Sequence, residues 1–288
     1  MSDNLSKRSS MKELAEFLVQ MNNQSEHHVG YCSDSFEEIY HSLTSEANIG
    51  ETFGIAYHED RIVGAIGLDI DEEDQNAEVW GPFVEQHDKL IANQLWEDVL
   101  KTCGTTINTF HFFLNEKNQM AQDFALSNHA TKKGDHIILV ANKNEFVPQE
   151  VVGVISYHPK YKTAFQTLHD QSFPNTYYRS DEILRRIEAT NQLFLLPDGD
   201  AQIKGYVYIE ASPEHGVGSI EYIAVSDNHR RLGIGTQLIE YALSILFSYP
   251  EILEITITVG KENETAIRLY EAAGFEVKHQ LTHYVIKR

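Results

Sequence analysis

Apolar positions along the chain recur with two periods, and their alternation predicts a repeated mixture of helices and strands. Leu14, Phe17, Leu18 and Met21 follow Ser9-Ser10 at helical spacing and predict a helix over 11–21, with a second over 36–43. Apolar runs at 52–57, 62–70 and 77–84, each bounded by turn-forming polar residues, read as an antiparallel meander. A helix over 89–100, a strand over 107–114, a helix over 118–126 and a strand over 136–141 complete the first half. Pro148 opposes a continuous helix through 144–149. Beyond it the pattern predicts a strand over 151–157, helices over 163–169 and 181–189, and strands over 192–196, 204–210 and 219–225. A helix over 233–247, a strand over 253–259, a helix over 263–273 and a strand over 283–286 close the series.

The order of elements in the second half repeats that of the first, and the register repeats with it. Ile62-Val63-Gly64 lies opposite Ile203-Lys204-Gly205, and Val84 opposite Val225, at an offset of 141; Asn118 lies opposite Asn263 at an offset of 145. A chain of 288 residues also suits two cores better than one. The expected architecture is therefore α/β (α+β), with tandem domains at 1–146 and 147–288. Each is a mixed, mostly antiparallel sheet flanked by helices.

Composition narrows the setting. With 42% hydrophobic and 23% charged residues the chain has the material for folded cores. Cys32 and Cys103 offer neither a disulfide framework nor a C-x-x-C spacing, and the histidines form no H-E-x-x-H pattern, so no metal and a reducing, cytoplasmic setting are expected. No run of 18 apolar residues and no leader-like segment after Met1 points to a membrane. The net charge of −20 opposes non-specific nucleic-acid binding, which needs Lys and Arg on phosphates. It divides as −15 over 1–146 and −5 over 147–288, which favours the second half for any anionic ligand. The acids at Asp69, Asp71, Glu72, Glu73 and Asp74 read as a solvated hairpin loop, and His27-His28 as a polar loop.

The chemistry concentrates in two segments. Ile223-Ala224-Val225 leads through Arg230-Arg231-Leu232-Gly233-Ile234-Gly235-Thr236 into a helix, as strand, basic glycine turn and helix start. Unpaired amides at a helix N-terminus hold phosphate when no side chain blocks the approach; two glycines and two arginines suit that, although a packing turn has the same look. The second segment carries Asn263, Ala266, Leu269-Tyr270 and Gly274-Phe275 where the next strand and helix should be. Together these resemble the GCN5-related N-acetyltransferase (GNAT) superfamily: Arg230-x-x-Gly233-x-Gly235 matches its Arg/Gln-x-x-Gly-x-Gly/Ala motif, and the later residues match its Asn, Ala, Leu-Tyr and Gly-Phe signature.

The resemblance implies acetyl-CoA as cosubstrate, bound in a cleft where strand 219–225 splays from strand 253–259. Backbone groups at Ile223, Ala224 and Val225 would meet the pantetheine arm. Arg230 and the amides of Arg231, Leu232, Gly233, Ile234, Gly235 and Thr236 would hold the pyrophosphate, and Asn263 would contact the cofactor. Tyr270 falls at the family's general acid, and Glu221, on the strand bordering the cleft, is the candidate base. At the same offsets the first half has Ala92 and Gln94 for the glycines and Ala125 for Tyr270, so it reads as a degenerate copy without catalysis. The expected reaction is acetyl transfer to a primary amine of a small molecule or a protein, a cationic small molecule being one candidate, with acceptor loops at 172–186. The alternative is a non-catalytic acyl-CoA-binding or regulatory protein. Nothing in the sequence sets the oligomeric state.

Overall fold

The computed structural model describes residues 2–45, 52–174 and 176–288. Its elements are α1 (Ser2–Asn22), α2 (Phe36–Thr44), β1 (Gly54–His58), β2 (Arg61–Asp71), β3 (Asn76–Val84), α3 (Lys89–Thr102), β4 (Thr109–Asn115), α4 (Gln119–Ser127) and β5 (Thr131–Asn142). They continue with β6 (Ile155–Ser156), α5 (Lys162–Ser172), α6 (Ser180–Arg186), β7 (Asn191–Pro197), β8 (Ile203–Ser212), β9 (Val217–Val225), α7 (Ile234–Leu246), β10 (Glu254–Gly260), α8 (Glu264–Ala272) and β11 (Glu276–Lys287). The repeat is visible in the bounds themselves: β3 and β9 coincide at an offset of 141, while β4 and β10, α4 and α8, and β5 and β11 coincide at 145. Asn118 and Asn263 cap equivalent helices, each accepting from the amide three residues on. No helix among the described residues is long and apolar enough to cross a membrane.

Two compact units form, and their limits correct the division at 146/147. Unit 1 holds residues up to His136 together with His279–Arg288, and unit 2 holds Ile137–Lys278. The reason is strand pairing. In unit 1, β1, β2 and β3 run antiparallel, β3 pairs with β4 in parallel over Asn76 to Glu78, and Leu281 to Lys287 of β11 pair antiparallel with β4. Tyr284 and Ile286 thereby enter the same core as Leu14, Ile66, Phe83, Trp96 and Phe110. In unit 2, β6, β7, β8 and β9 form an antiparallel sheet. Ile137, Leu139 and Ala141 of β5, which neighbours β10, join the core built on α7. Each unit thus receives part of a strand from the other half of the sequence.

Other expectations shift for local reasons. The strand expected over 151–157 shrinks to β6, because Gly153 turns left-handed at φ +89° and Val152 stays exposed. The helix expected to reach 189 stops at Arg186, where Ile187 becomes extended. His27 and His28 are buried, correcting the polar-loop reading. The His28 ring stacks on His279 at 3.7 Å, and its Nδ1 lies 2.9 Å from the Asn22 carbonyl, so the pair helps fasten the C-terminal residues into unit 1.

The core of unit 2 sets a test. Burying an Ile or Leu side chain stabilises by about 1.5–3 kcal/mol, so a fragment starting at 147 forgoes the contributions of Ile137 and Leu139 and leaves β10 without its neighbour. Fragment 137–278 is expected to melt cooperatively in circular dichroism, whereas 147–278 should show no cooperative transition or a much lower Tm.

Candidate active site

Unit 2 opens where its strands stop pairing. β9 is the last strand of its sheet and β10 belongs to the other, so alternate residues of β9 turn backbone N–H and C=O groups away from β8. Such groups need a partner, and an extended ligand arm can supply one. Ile223 and Val225 pack with Val259, Tyr270 and Phe275 in the α7-side core, which brings the expected cleft residues and the expected acid together. Ala224 points to the opposite face.

A β-bulge lies beside the opening. Tyr208 is opposite Tyr222 and Ile209 opposite Ile220, which leaves Glu221 as the extra residue on β9. Strict alternation therefore fails here: Ile220 and Ile223 pack on the α7 side while Tyr222 and Ala224 pack on the other. The face of Glu221 therefore does not follow from alternation counted from Ile223. Its side chain is exposed and accepts a hydrogen bond from Ser219 Oγ at 2.5 Å.

The turn into α7 takes the form that anion binding requires. Gly233 caps the helix at φ +77° with open space where a Cβ would stand, and Arg231 holds a left-handed φ of +62°. The first intrahelical bond runs from the Gln237 amide to the Gly233 carbonyl, at 3.0 Å, so the amides of Ile234, Gly235 and Thr236 have no helical partner. The first turn carries no acid. Arg230 pairs with Asp227 at 3.0 Å and donates to the Val225 carbonyl at 3.3 Å, while Arg231 and Leu232 are exposed. A cleft of about 480 Å³ adjoins the turn, lined by residues that include Leu196, Lys204, His229, Leu232, Ile234 and Gln237.

Two of the expected site residues also have a packing or capping role. Gly235 faces α8, since a Cβ there would stand 2.9 Å from Leu269 Cδ1; it lets the helices approach and does not clear a path for phosphate. Asn263 uses its side-chain oxygen to cap α8, accepting from the Ala266 amide at 3.2 Å, as Asn118 does in unit 1. Tyr270 is 6% exposed and packs edge-on to Phe275 at 5.5 Å. Burial pushes its hydroxyl up to about 12, so it keeps its proton at neutral pH.

Unit 1 shows what the same scaffold looks like without these features. Asp88 caps α3 and accepts from the amides of Leu90 and Ile91 at 2.8 and 3.4 Å, placing the protein's own carboxylate where an anion would bind. Pro82, opposite Ile223 at offset 141, has no amide N–H to offer an extended ligand. Ala125 is fully buried in place of Tyr270.

Two measurements follow from this geometry. Tyr270, with a folded value near 12 against about 10 unfolded, contributes stability that is complete below pH 10 and is lost as pH rises to 12; the difference is about 2–3 kcal/mol. Denaturant titrations should show Tyr270→Phe removing that part of the alkaline decline. Gly235→Gln should lower Tm, because it forces Leu269 aside, and Leu269→Ala should recover part of the loss in the double variant.

Comparison with known proteins identifies the family and the fold. The profile of the acetyltransferase (GNAT) family matches residues 105–275. An N-alpha-acetyltransferase of Sulfurisphaera tokodaii is 30% identical over 120 residues, covering 38% of this chain and 69% of the relative. A GCN5-related N-acetyltransferase from Sphaerobacter thermophilus superposes with a TM-score of 0.68 at 14% identity, over 97% of this chain and 93% of that one. A tandem GNAT protein from the clavulanic acid biosynthesis pathway gives 0.61 at 15% identity, over 97% and 95%; these two likenesses show the fold. The chain belongs to the acetyltransferase (GNAT) family, as an acyltransferase whose cosubstrate is acetyl-CoA.

Proposed function

We propose that unit 2 transfers acetyl from acetyl-CoA to a primary amine by direct attack, and that unit 1 does not catalyse. The observation that carries the reading is the contrast at equivalent positions. An uncapped, acid-free helix start and a buried tyrosine stand in unit 2, where unit 1 has the Asp88 carboxylate and Ala125.

Acetyl-CoA supplies a thioester whose carbonyl carbon the amine attacks, forming the C–N bond as the C–S bond breaks. The amine must first lose a proton, since its ammonium form has no lone pair. Glu221 is the base in this reading, as the carboxylate at the bulge, and the acceptor is a cationic amine that it attracts. Tyr270 meets the departing sulfur. A thiol of reference pKa about 8.5 lies some 3.5 units below about 12, so full proton transfer in water would be uphill by about 5 kcal/mol. The same apolar surroundings also disfavour a bare thiolate, which narrows that gap. Tyr270 therefore acts by donating a hydrogen bond as negative charge develops on sulfur and keeps its proton, while the proton given up by the amine is balanced by the one the departing thiolate takes from solvent. Arg230, Arg231 and the amides through Thr236 hold the pyrophosphate in this account, and Asn263, whose side-chain oxygen caps α8, contacts the cofactor.

Kanamycin, spermidine and a peptide with a free N-terminus, assayed by release of CoA thiol, should include at least one acceptor. Turnover of none would reject transfer to amines. Calorimetry should give one acetyl-CoA site per chain. Tyr270→Phe should lower kcat by roughly 10- to 1000-fold with little change in acetyl-CoA affinity.

A further inference from the structure

The face of β8 and β9 turned away from α7 is tyrosine-rich: Tyr206, Tyr208 and Tyr222 pack there with Phe165 of α5 and Ile183 of α6. The segment joining α5 to α6 falls within the expected acceptor region 172–186, of which Asn175 lies outside the described residues. Its backbone is held at Tyr178 by side chains. The Tyr178 amide donates to Tyr222 Oη at 3.0 Å, and Tyr222 Oη also bonds Thr176 Oγ1 at 2.6 Å. The Tyr178 carbonyl accepts from His169 Nε2 at 2.9 Å, while His169 Nδ1 accepts from the Tyr206 hydroxyl at 2.6 Å. His169 has no exposed surface, and burial holds its pKa below the usual value, in keeping with the neutral tautomer these bonds require. The Tyr178 ring is fixed as well: the Arg186 guanidinium stands 4.3 Å over it and forks onto Glu210 at 3.0 and 3.2 Å.

This arrangement is costly for packing alone. A buried histidine with both nitrogens engaged adds little net stability over an apolar side chain of the same shape, but it fixes geometry. What it fixes lies next to the bulge. Tyr222 is the residue directly after Glu221, so one irregularity in β9 turns the phenol inward to the loop and leaves the carboxylate outside. After burial and Glu210, the Glu221 charge is among the causes that raise the Tyr178 hydroxyl, which puts carboxylate and loop within electrostatic reach. Tyr177, beside Tyr178 with ring centroids 4.7 Å apart, is 85% exposed. An exposed aromatic face near a carboxylate suits an alkylammonium group.

We propose that Tyr222 and His169 are positioning residues for the acceptor: they hold the Tyr177–Tyr178 segment against Glu221 as the wall that receives the amine-bearing substrate. The proposal rests on the reading of unit 2 as the transferase.

Hydrogen exchange and kinetics on the full chain test it. Tyr222→Phe keeps the ring in the core and deletes only the hydroxyl, and His169→Gln is the second variant. Exchange at the Tyr178 amide should speed up in Tyr222→Phe, with α7 unchanged. With whichever of kanamycin, spermidine and the free N-terminal peptide the wild type acetylates, acceptor KM should rise roughly 2- to 10-fold, the range of one net hydrogen bond, and by more than kcat falls. Acetyl-CoA affinity by calorimetry should not move. Unchanged Tyr178 exchange, or an unchanged acceptor KM in both variants of an enzyme whose wild type turns over, overturns the proposal. A wild type that acetylates none of the three amines overturns the transferase reading, and the acceptor role with it, which is a separate result.

Discussion

Everything at the candidate site depends on two neighbouring strands that do not pair. Main-chain N–H and C=O groups facing an unpaired gap demand partners, so β9 and β10 can remain apart only if water or a ligand serves them. The features around the gap follow from keeping it open and useful. The bulge at Glu221 re-aims the strand, so that consecutive residues serve opposite faces. The turn through left-handed Arg231 and Gly233 delivers a bare helix N-terminus at the strand's end, and the close approach of α7 to α8 across Gly235 sets Leu269 and Tyr270 beside the opening.

Unit 1 serves as an internal control on that argument. It retains a bulge between β2 and β3 and the asparagine cap of α4, so these belong to the scaffold, whereas its β3 and β4 pair in parallel over Asn76 to Glu78, as β9 and β10 do not. Its other differences are local and chemical. Asp88 fills the helix start with a carboxylate, Pro82 removes an amide, and Ala125 removes a hydroxyl. Asn263 belongs on the scaffold side of this division by its capping bond, since Asn118 makes the same bond without a cradle nearby. Gly235 is intermediate, because its place is taken by Gln94, which bonds Asp98 on the surface of α3.

Much of this was legible in the sequence because it is local. The register of the repeat is a matter of counting, and β3 with β9 and α4 with α8 fall where the offsets put them. The strand, basic glycine turn and helix could be read at 219–247 since left-handed turns and helix starts have short-range signals. The bulge was hidden, because one extra residue in an alternating strand leaves the pattern of Tyr222, Ile223 and Ala224 looking regular. The Tyr178 network was hidden for another reason: it joins residues 169, 178, 206 and 222, and hydroxyls or an imidazole within apolar runs read as ordinary core. Asp88 before Lys89 carries a capping signal in the sequence, which marks the start of α3 as occupied by a carboxylate.

The strand assignments also bear on why the first half, read here as non-catalytic, is kept. In that proposed reading it could be dispensable if the halves were independent beads. They are not, because the boundary in the sequence and the boundary between cores differ. Ile137, Leu139 and Ala141 lie within the first repeat yet fill the core that carries Tyr270, and Tyr284 and Ile286 lie within the second repeat yet fill the core of unit 1. A deletion at the repeat boundary would therefore strip buried side chains from unit 2, whatever role unit 1 has toward an acceptor. Retention of the first half follows from packing alone, and its acidic charge need not have been selected for catalysis.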